Sequence, residues 1–307
     1  MNIYLKNIGI NAHKALEKKI DTKIKNKVLN KYAYLINKNR FKIIYQNKKD
    51  IAFAIKKGLK ENLLKRLYLD SIKIDQIIKS IKIISKLKDP INVTLSSWKR
   101  PNGLKIKKVA IPLGIIGVIY ESRPNVTSDV SSLCFKSGNC VILRGGSESY
   151  FSNRILSNLF RKALRINKID PNYVQFVNSR DRKMVDILLS KMEKYVDVII
   201  PRGGKNLVKK VQKLSSVPTI GHLEGICHTY IDRDANLNSA IKIIHNAKLR
   251  NTSICGATET VLIHEKTLKK YVNPVLNKLI SKGCIIFADK KIKKIFKGHS
   301  LIAREKN

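Results

Sequence analysis

Long apolar runs are missing from this chain. None reaches the roughly 18 residues that a membrane-spanning helix needs. The longest, from Val109 to Tyr120, is broken by Pro112, Gly114 and Gly117 and reads as buried strand and turn. The N-terminus, MNIYLKNIGINAHKALEKK, lacks the basic-then-apolar order of a signal peptide, so no membrane partner and a cytoplasmic location are expected. No disulfide framework is expected, by the same reasoning: the five cysteines (134, 140, 227, 255 and 284) are odd in number, and thiols stay free in a reducing compartment. No Cys-x-x-Cys pair occurs, which rules out a zinc ribbon. Internal repeats and long linkers are absent too. Acidic residues are scarce, with 22 Asp and Glu against 62 Lys and Arg, a net charge of +40. A basic chain can bind nucleic acid non-specifically, but such binders usually gather their charge on one face or stripe. Here lysines are scattered from Lys6 to Lys306, and Lys, Asn and Ile are enriched together in core and surface alike. That pattern reads as compositional drift, and no specific nucleic-acid partner is expected.

What is present is a soluble globular composition, 43% apolar and 27% charged over 307 residues, enough for two domains or one large domain with an appendage. Residues 2–90 carry apolar side chains at three- and four-residue steps and read as helices until Pro90. SSWKRPNGLK, 96–105, reads as a turn-rich connector. Beyond it the rhythm changes. The stretches KKVAIPLGIIGVIYES, NCVILRGG, NYVQFVNS, VDVIIPRGG, ICHTYIDRD, ATETVLIHE and CIIFAD read as strands, and helical patterns lie between them. Strands alternating with helices predict an α/β fold with a parallel sheet covered on both faces, and ligands in such sheets bind at the carboxyl ends of the strands. The expected division is a helical N-terminal segment plus cofactor-type domain over 1–224, and a second α/β unit over 225–307.

Two glycine turns follow strands, LRGGSE at 143–148 and PRGGKN at 201–206. Glycine lets a ligand approach the backbone, and the next helix offers free N–H groups to an anion. Neither turn matches G-x-G-x-x-G, and PRGGKN is no P-loop, because Ile199 and Asn206 stand at required positions. Each is also readable as an ordinary strand-to-helix turn. Two in one sheet, each with an arginine, point toward a nucleotide phosphate, and Arg144 suits one by bidentate hydrogen bonding. HLEGICH, 222–228, holds His222, Glu224, Cys227 and His228, but the spacing fits no common zinc pattern. In a strand, Cys227 and His228 would point to opposite faces, so no metal is expected. Cys255 sits in NTSICGATET, 251–260, between a helix and a strand, beside Ser253, Gly256 and Thr258. Small neighbours leave room for a substrate, and turn N–H groups can favour a thiolate or hold an oxyanion. An inert buried thiol is the competing reading. The other four cysteines read as core.

Five stretches together resemble the gamma-glutamyl phosphate reductase family, a branch of the aldehyde dehydrogenase superfamily: VAIPLGIIGVIYESRPNVTSD, FKSGNCVILRGGSES, VDVIIPRGGKNLV, VPTIGHLEGICHTYID and NAKLRNTSICGATETVLIH. The resemblance runs from the N-terminal helices to the end of the chain. It implies an aldehyde dehydrogenase-like fold, a Rossmann-like NADP-binding domain followed by an incomplete α/β catalytic domain. It also implies NADPH-dependent reduction of L-glutamyl 5-phosphate to L-glutamate 5-semialdehyde with release of phosphate, the second step of proline synthesis from glutamate. By similarity, Cys255 is the nucleophile that forms a thioester, and the Asn125 amide helps hold the oxyanion. Arg144 and Ser147 fall where the superfamily binds the adenine ribose. Arg144 replaces the usual lysine, and Ser147 stands where NAD-preferring relatives carry a carboxylate, which implies NADP. Gly203 and Gly204 match the turn under the nicotinamide half and the pyrophosphate. Glu224 lies near the general-base position of hydrolytic relatives. Glu121 and Arg123 are candidates for gripping the substrate's α-amino and α-carboxylate groups. A homo-oligomer and coupling to glutamate 5-kinase are the partner options that the resemblance leaves open. The family continues well beyond LIAREKN at 301–307, so the expectation is a C-terminally truncated member. Its alternatives are a catalytically impaired remnant and, further off, a basic nucleic-acid-binding protein.

Overall fold

The computed structural model describes residues 2–221, 225–252 and 254–304. It divides into two compact units, Met1–Leu223 and Glu224–Asn307.

The first unit opens with five helices: α1 (Ile3–Leu16), α2 (Thr22–Lys38), α3 (Arg40–Lys56), α4 (Glu61–Leu67) and α5 (Ser71–Lys86). Their starts are set by local polar caps. Asn2 accepts from the Tyr4 and Leu5 amides, Asp21 from Ile24 and Asp70 from Lys73, each cap stabilising its helix by about 1 kcal/mol. Their inward faces follow the helical period: Ile74, Ile77, Ile81 and Ile84 line the buried side of α5. Burying each such side chain contributes about 2 kcal/mol. The helical reading of 2–90 therefore agrees with the structure.

Residues 96–105 differ from the connector reading. β1 (Thr94–Lys99) pairs antiparallel with β2 (Lys105–Val109), and the tip closes with the Arg100 amide donating to Leu104 O at 2.9 Å. The Pro-Asn-Gly signal was sound for 101–103 alone, because the residues on either side extend and pair across the turn. This hairpin is exposed along nearly its whole length.

The remainder of the unit is the predicted parallel α/β pattern: β3 (Ile115–Tyr120), α6 (Pro124–Lys136), β4 (Cys140–Gly145), α7 (Tyr150–Ile166), β5 (Val174–Phe176), α8 (Lys183–Ser190), β6 (Val198–Arg202) and α9 (Lys205–Leu214). The sheet order is β5-β4-β3-β6, all parallel. β3 and β4 are buried at every position, which is why they read as unbroken apolar runs rather than alternating ones. Phe160 stacks on Tyr32 and Phe135 at centroid distances of 4.6 and 5.7 Å, tying α7 to α2 and α6.

The second unit holds β7 (Cys227–Ile231), α10 (Leu237–Leu249), β8 (Thr258–Ile263), α11 (Leu268–Ile280), β9 (Phe287–Ala288), α12 (Lys290–Ile295) and β10 (Leu301–Ile302). β7 pairs with β8 and β9 with β10, both parallel. Its own core gathers Ile231, Ile244, Tyr271, Val272 and Val275. α12 and β10 escaped the sequence reading, since two-residue strands and a six-residue, lysine-rich helix carry almost no periodicity. Among the described residues, no helix is long and apolar enough to cross a membrane.

Candidate active site

The sheet of the first unit has one topological switch. From β3 the chain moves to β4 and β5 on one side, then returns to place β6 on the other side of β3. In the register, Tyr120 lies opposite Gly145 on one flank and Arg202 on the other. The turns leaving β3, β4 and β6 therefore share one edge of the sheet. That edge, at the carboxyl ends beside the switch, is where open parallel sheets bind ligands.

The turn after β4 is closed. Arg144 is only 5% exposed, and its guanidinium donates to the Gly145 carbonyl and, at 3.2 and 3.4 Å, to the Asp181 and Arg180 carbonyls. Its Nε has no partner among the described residues. Burial lowers the Arg144 pKa, offset in part by Tyr120, Glu148 and Asp181. A Cβ on Gly145 would collide with the Asn153 amide and meet the Tyr120 ring at 3.0 Å. The first amides of α7 were expected to be free for an anion, and they are not. Asp50, buried on α3, accepts from the Phe151 and Ser152 N–H groups at 3.0 and 2.7 Å. Burial raises the Asp50 pKa, opposed by these hydrogen bonds. Ser147 is nearer to solvent. Its hydroxyl donates to Glu148 at 2.7 Å, and Lys57, just past α3, lies 3.3 Å from both Ser147 Oγ and Glu148 Oε1. Burial opposes ionisation of Glu148, but Ser147 and Lys57 outweigh it and hold its pKa below the usual range.

The turn after β6 begins its helix at a glycine. Gly204 caps α9 with no side-chain hydrogen bond. Glu121 leans over this turn: a Cβ on Gly203 would lie 2.7 Å from Glu121 Cδ, and one on Gly204 would lie 3.6 Å from its Oε1. A carboxylate near a helix N-terminus is favoured by the aligned peptide dipoles.

Asn125 sits in the first turn of α6, behind Pro124, exposed. Its Nδ2 donates to Asp129 Oδ2 at 3.1 Å, and Ser80 on α5 donates to the other Asp129 oxygen at 3.0 Å.

Cys255 belongs to the second unit and is exposed, in the turn between α10 and β8. The turn is tight, with the Ala257 amide donating to Ile254 O at 3.1 Å. Gly225 presses on it, since a Cβ there would lie 2.8 Å from Cys255 O. Cys134 and Cys140 are buried as expected, but Cys227 and Cys284 are only half-buried, being in or beside a short sheet with open sides. Cys227 Sγ donates to the Cys255 carbonyl at 3.2 Å. His222, Glu224 and Ser253 lie outside the described residues.

Of the residues singled out in the sequence, Arg144, Ser147, Gly203 and Gly204 share the switch edge of the sheet. Asn125 begins the helix leaving that edge, and Cys255 lies in the other unit. Lys57, Asp50 and Asp129 went unnoticed, because a lone Lys or Asp on a helix carries no local signal of the distant group it meets.

Residues 9–282 match the aldehyde dehydrogenase family. The chain is 46% identical over 268 residues to a gamma-glutamyl phosphate reductase of Bartonella quintana, covering 87% of this chain and 65% of that protein. It is 40% identical over 296 residues to one of Parvibaculum lavamentivorans, covering 96% and 70%. The crystal structure of gamma-glutamyl phosphate reductase from Thermotoga maritima superposes with a TM-score of 0.91 at 34% identity, over 98% of this chain and 73% of that one. The chain thus spans slightly less than two thirds of the Bartonella quintana protein.

Proposed function

The chain belongs to the aldehyde dehydrogenase family, in its gamma-glutamyl phosphate reductase branch, and from that premise we propose that it reduces L-glutamyl 5-phosphate to L-glutamate 5-semialdehyde, releasing phosphate. The observation that carries this reading is Cys255, exposed in the tight turn before β8 within the matched region.

In the proposed reaction the Cys255 thiolate attacks the acyl carbon. A C–S bond forms, and the C–O bond to phosphate breaks with its electron pair leaving on phosphate. The Asn125 amide would steady the oxyanion, its orientation held by Asp129. A nicotinamide cofactor, which membership of the family implies, supplies the hydride that reduces the thioester carbon. The oxyanion left on that carbon would then re-form the carbonyl as the C–S bond breaks and sulfur departs as thiolate, giving the aldehyde. Gly203 and Gly204, at the switch edge, would lie under the cofactor's nicotinamide half. Glu224 keeps its assignment near the general-base position as part of the proposal.

The cofactor we favour is NADP. Lys57 supports it, because its ammonium lies within 3.3 Å of Ser147 at the predicted ribose site. Arg144 would have to release its carbonyls to join in, and Glu148 would have to yield to a phosphate. For a homo-oligomer, support comes from the exposed β1–β2 hairpin with Leu95, Trp98 and Leu104 on its surface. Coupling to glutamate 5-kinase fits the lability of an acyl phosphate, and the cytoplasm is the proposed compartment.

Mass spectrometry after mixing the chain with L-glutamyl 5-phosphate tests the central step. A glutamyl adduct is expected on Cys255 and is expected to vanish in Cys255→Ala. A label on another residue would overturn the assignment.

A further inference from the structure

A reductase for glutamyl phosphate must recognise the end of its substrate that does not react, a zwitterion with one α-carboxylate and one α-ammonium. Beside Asn125 the first unit has a cleft of about 360 Å³, within the usual range for small-molecule sites. Two helix faces build it. Lys73, Gln76 and Ser80 recur at three- and four-residue steps on α5, Asn125 and Asp129 are four apart on α6, and Arg66 joins from the last turn of α4. Leu69 and Ile77, each 3% exposed, give it an apolar floor. The cleft therefore combines two cations, one anion and a surface suited to methylenes.

We infer that this cleft is the subsite for the substrate's amino-acid end, with Asp129 receiving the α-ammonium and Lys73 and Arg66 the α-carboxylate. The inference rests on the reading of Asn125 as the oxyanion donor. In an extended glutamyl chain the α-carbon lies roughly 4 Å from the acyl carbon. Asp129, 3.1 Å from the Asn125 amide, is thus within reach of an ammonium on that carbon. Each Asp129 oxygen accepts one hydrogen bond, from Asn125 and Ser80, and each has a second lone pair to offer. Lys73 is held in place by the Lys65 and Tyr68 carbonyls, both at 2.8 Å. Its ammonium has three donors, so one is left for a carboxylate. Glu121, the earlier candidate for this task, leans instead over Gly203.

The test is binding to the full chain, followed by saturation-transfer NMR, with three probes: L-glutamate, glutarate, which lacks the amine, and 4-aminobutyrate, which lacks the α-carboxylate. Arg66→Met with Lys73→Met is expected to weaken L-glutamate and glutarate by at least about tenfold, one charge-assisted hydrogen bond, and to leave 4-aminobutyrate unchanged. Asp129→Asn is expected to weaken L-glutamate and 4-aminobutyrate and to leave glutarate unchanged. A variant that had merely lost its fold would weaken all three alike. Equal losses for all three probes in a variant that still unfolds cooperatively at the wild-type urea midpoint, or wild-type chain that binds none of them, would overturn the subsite. None of these measurements involves Cys255, so the subsite can fail while the Cys255 adduct forms, and the adduct can fail while the subsite stands.

Discussion

Two turns in this molecule share the same three residues, Arg-Gly-Gly at 144–146 and at 202–204, each between a parallel strand and a helix. They are built for opposite ends. After β4, the arginine is buried, the first glycine is wedged against Asn153 and Tyr120, and the amides of the following helix are bound by Asp50. After β6, the arginine is exposed, the helix begins at a glycine that has no side chain to cap it with, and Glu121 lies over the glycines. One turn fastens the sheet to the helical layer, and the other leaves an anion-friendly helix end at the switch edge. A strand-glycine-helix signature thus identifies a place where a ligand is able to approach, while the rest of the fold decides whether that place is already filled.

The largest effect that would test this contrast comes from adding one methyl group to each turn. Gly145→Ala is expected to cost about 3 kcal/mol in denaturant unfolding, because neither the buried Asn153 amide nor the Tyr120 ring has room to retreat. Gly204→Ala meets only ordinary contacts at 3.6 Å and beyond and is expected to change stability by less than about 0.5 kcal/mol. Equal costs at the two positions would erase the distinction.

Next comes the cap. Asp50→Ala leaves the Phe151 and Ser152 amides without their acceptor and is expected to cost about 1–2 kcal/mol. Its pH dependence has a definite sign. Burial raises the folded-state pKa of Asp50 above the ordinary carboxylate range, so between the unfolded value of about 3.9 and the raised one the folded form holds the extra proton. Stability contributed by Asp50 is therefore full at low pH and declines as pH rises through that window. The difference between wild type and variant, read from urea midpoints, should be greatest below about pH 4 and narrow above the raised pKa. A gap that widens with pH would show that the carboxylate, and not the acid, is the favoured form.

The smallest effect concerns the open turn. Glu121→Gln removes a negative charge from the position proposed for the cofactor's phosphates, and NADP⁺ affinity in a fluorescence titration is expected to rise by about threefold to tenfold. Weaker binding would mean that Glu121 helps to hold the ligand, and unchanged binding that the phosphates do not lie beside it; either would end its role as a guard of the turn.

Much of this architecture is legible in the residues. β3, β4 and β6 announce themselves because central parallel strands are apolar throughout, and α2, α5 and α7 because one face of each repeats at the helical period. The gamma-glutamyl phosphate reductase resemblance follows from long, specific blocks such as PLGIIGVIYESRPNVT. What was misread is instructive. The 96–105 stretch reads as a connector because Pro101 and Gly103 dominate the window, although they occupy only the hairpin tip. α8 stops at Ser190 although apolar Met192 and Val196 follow, because these two are buried by tertiary packing and do not continue a helix. Cys227 and Cys284 were assigned to a core, yet the two-stranded sheets around them are too small to bury them.

By itself the sequence determined the alternation of strands and helices, the place of the two glycine turns, the cysteine before β8 and the family, since each is written in a contiguous stretch whose local physics or residue order is enough to read it. Only the tertiary structure decided which turn is sealed, where Glu121 leans, and that Asp129 on one helix faces Lys73 and Arg66 across a cleft. Those outcomes depend on pairs of groups separated by tens of residues, such as Asp50 and Ser152, and no periodicity along the chain encodes which distant partner a lone charge will meet.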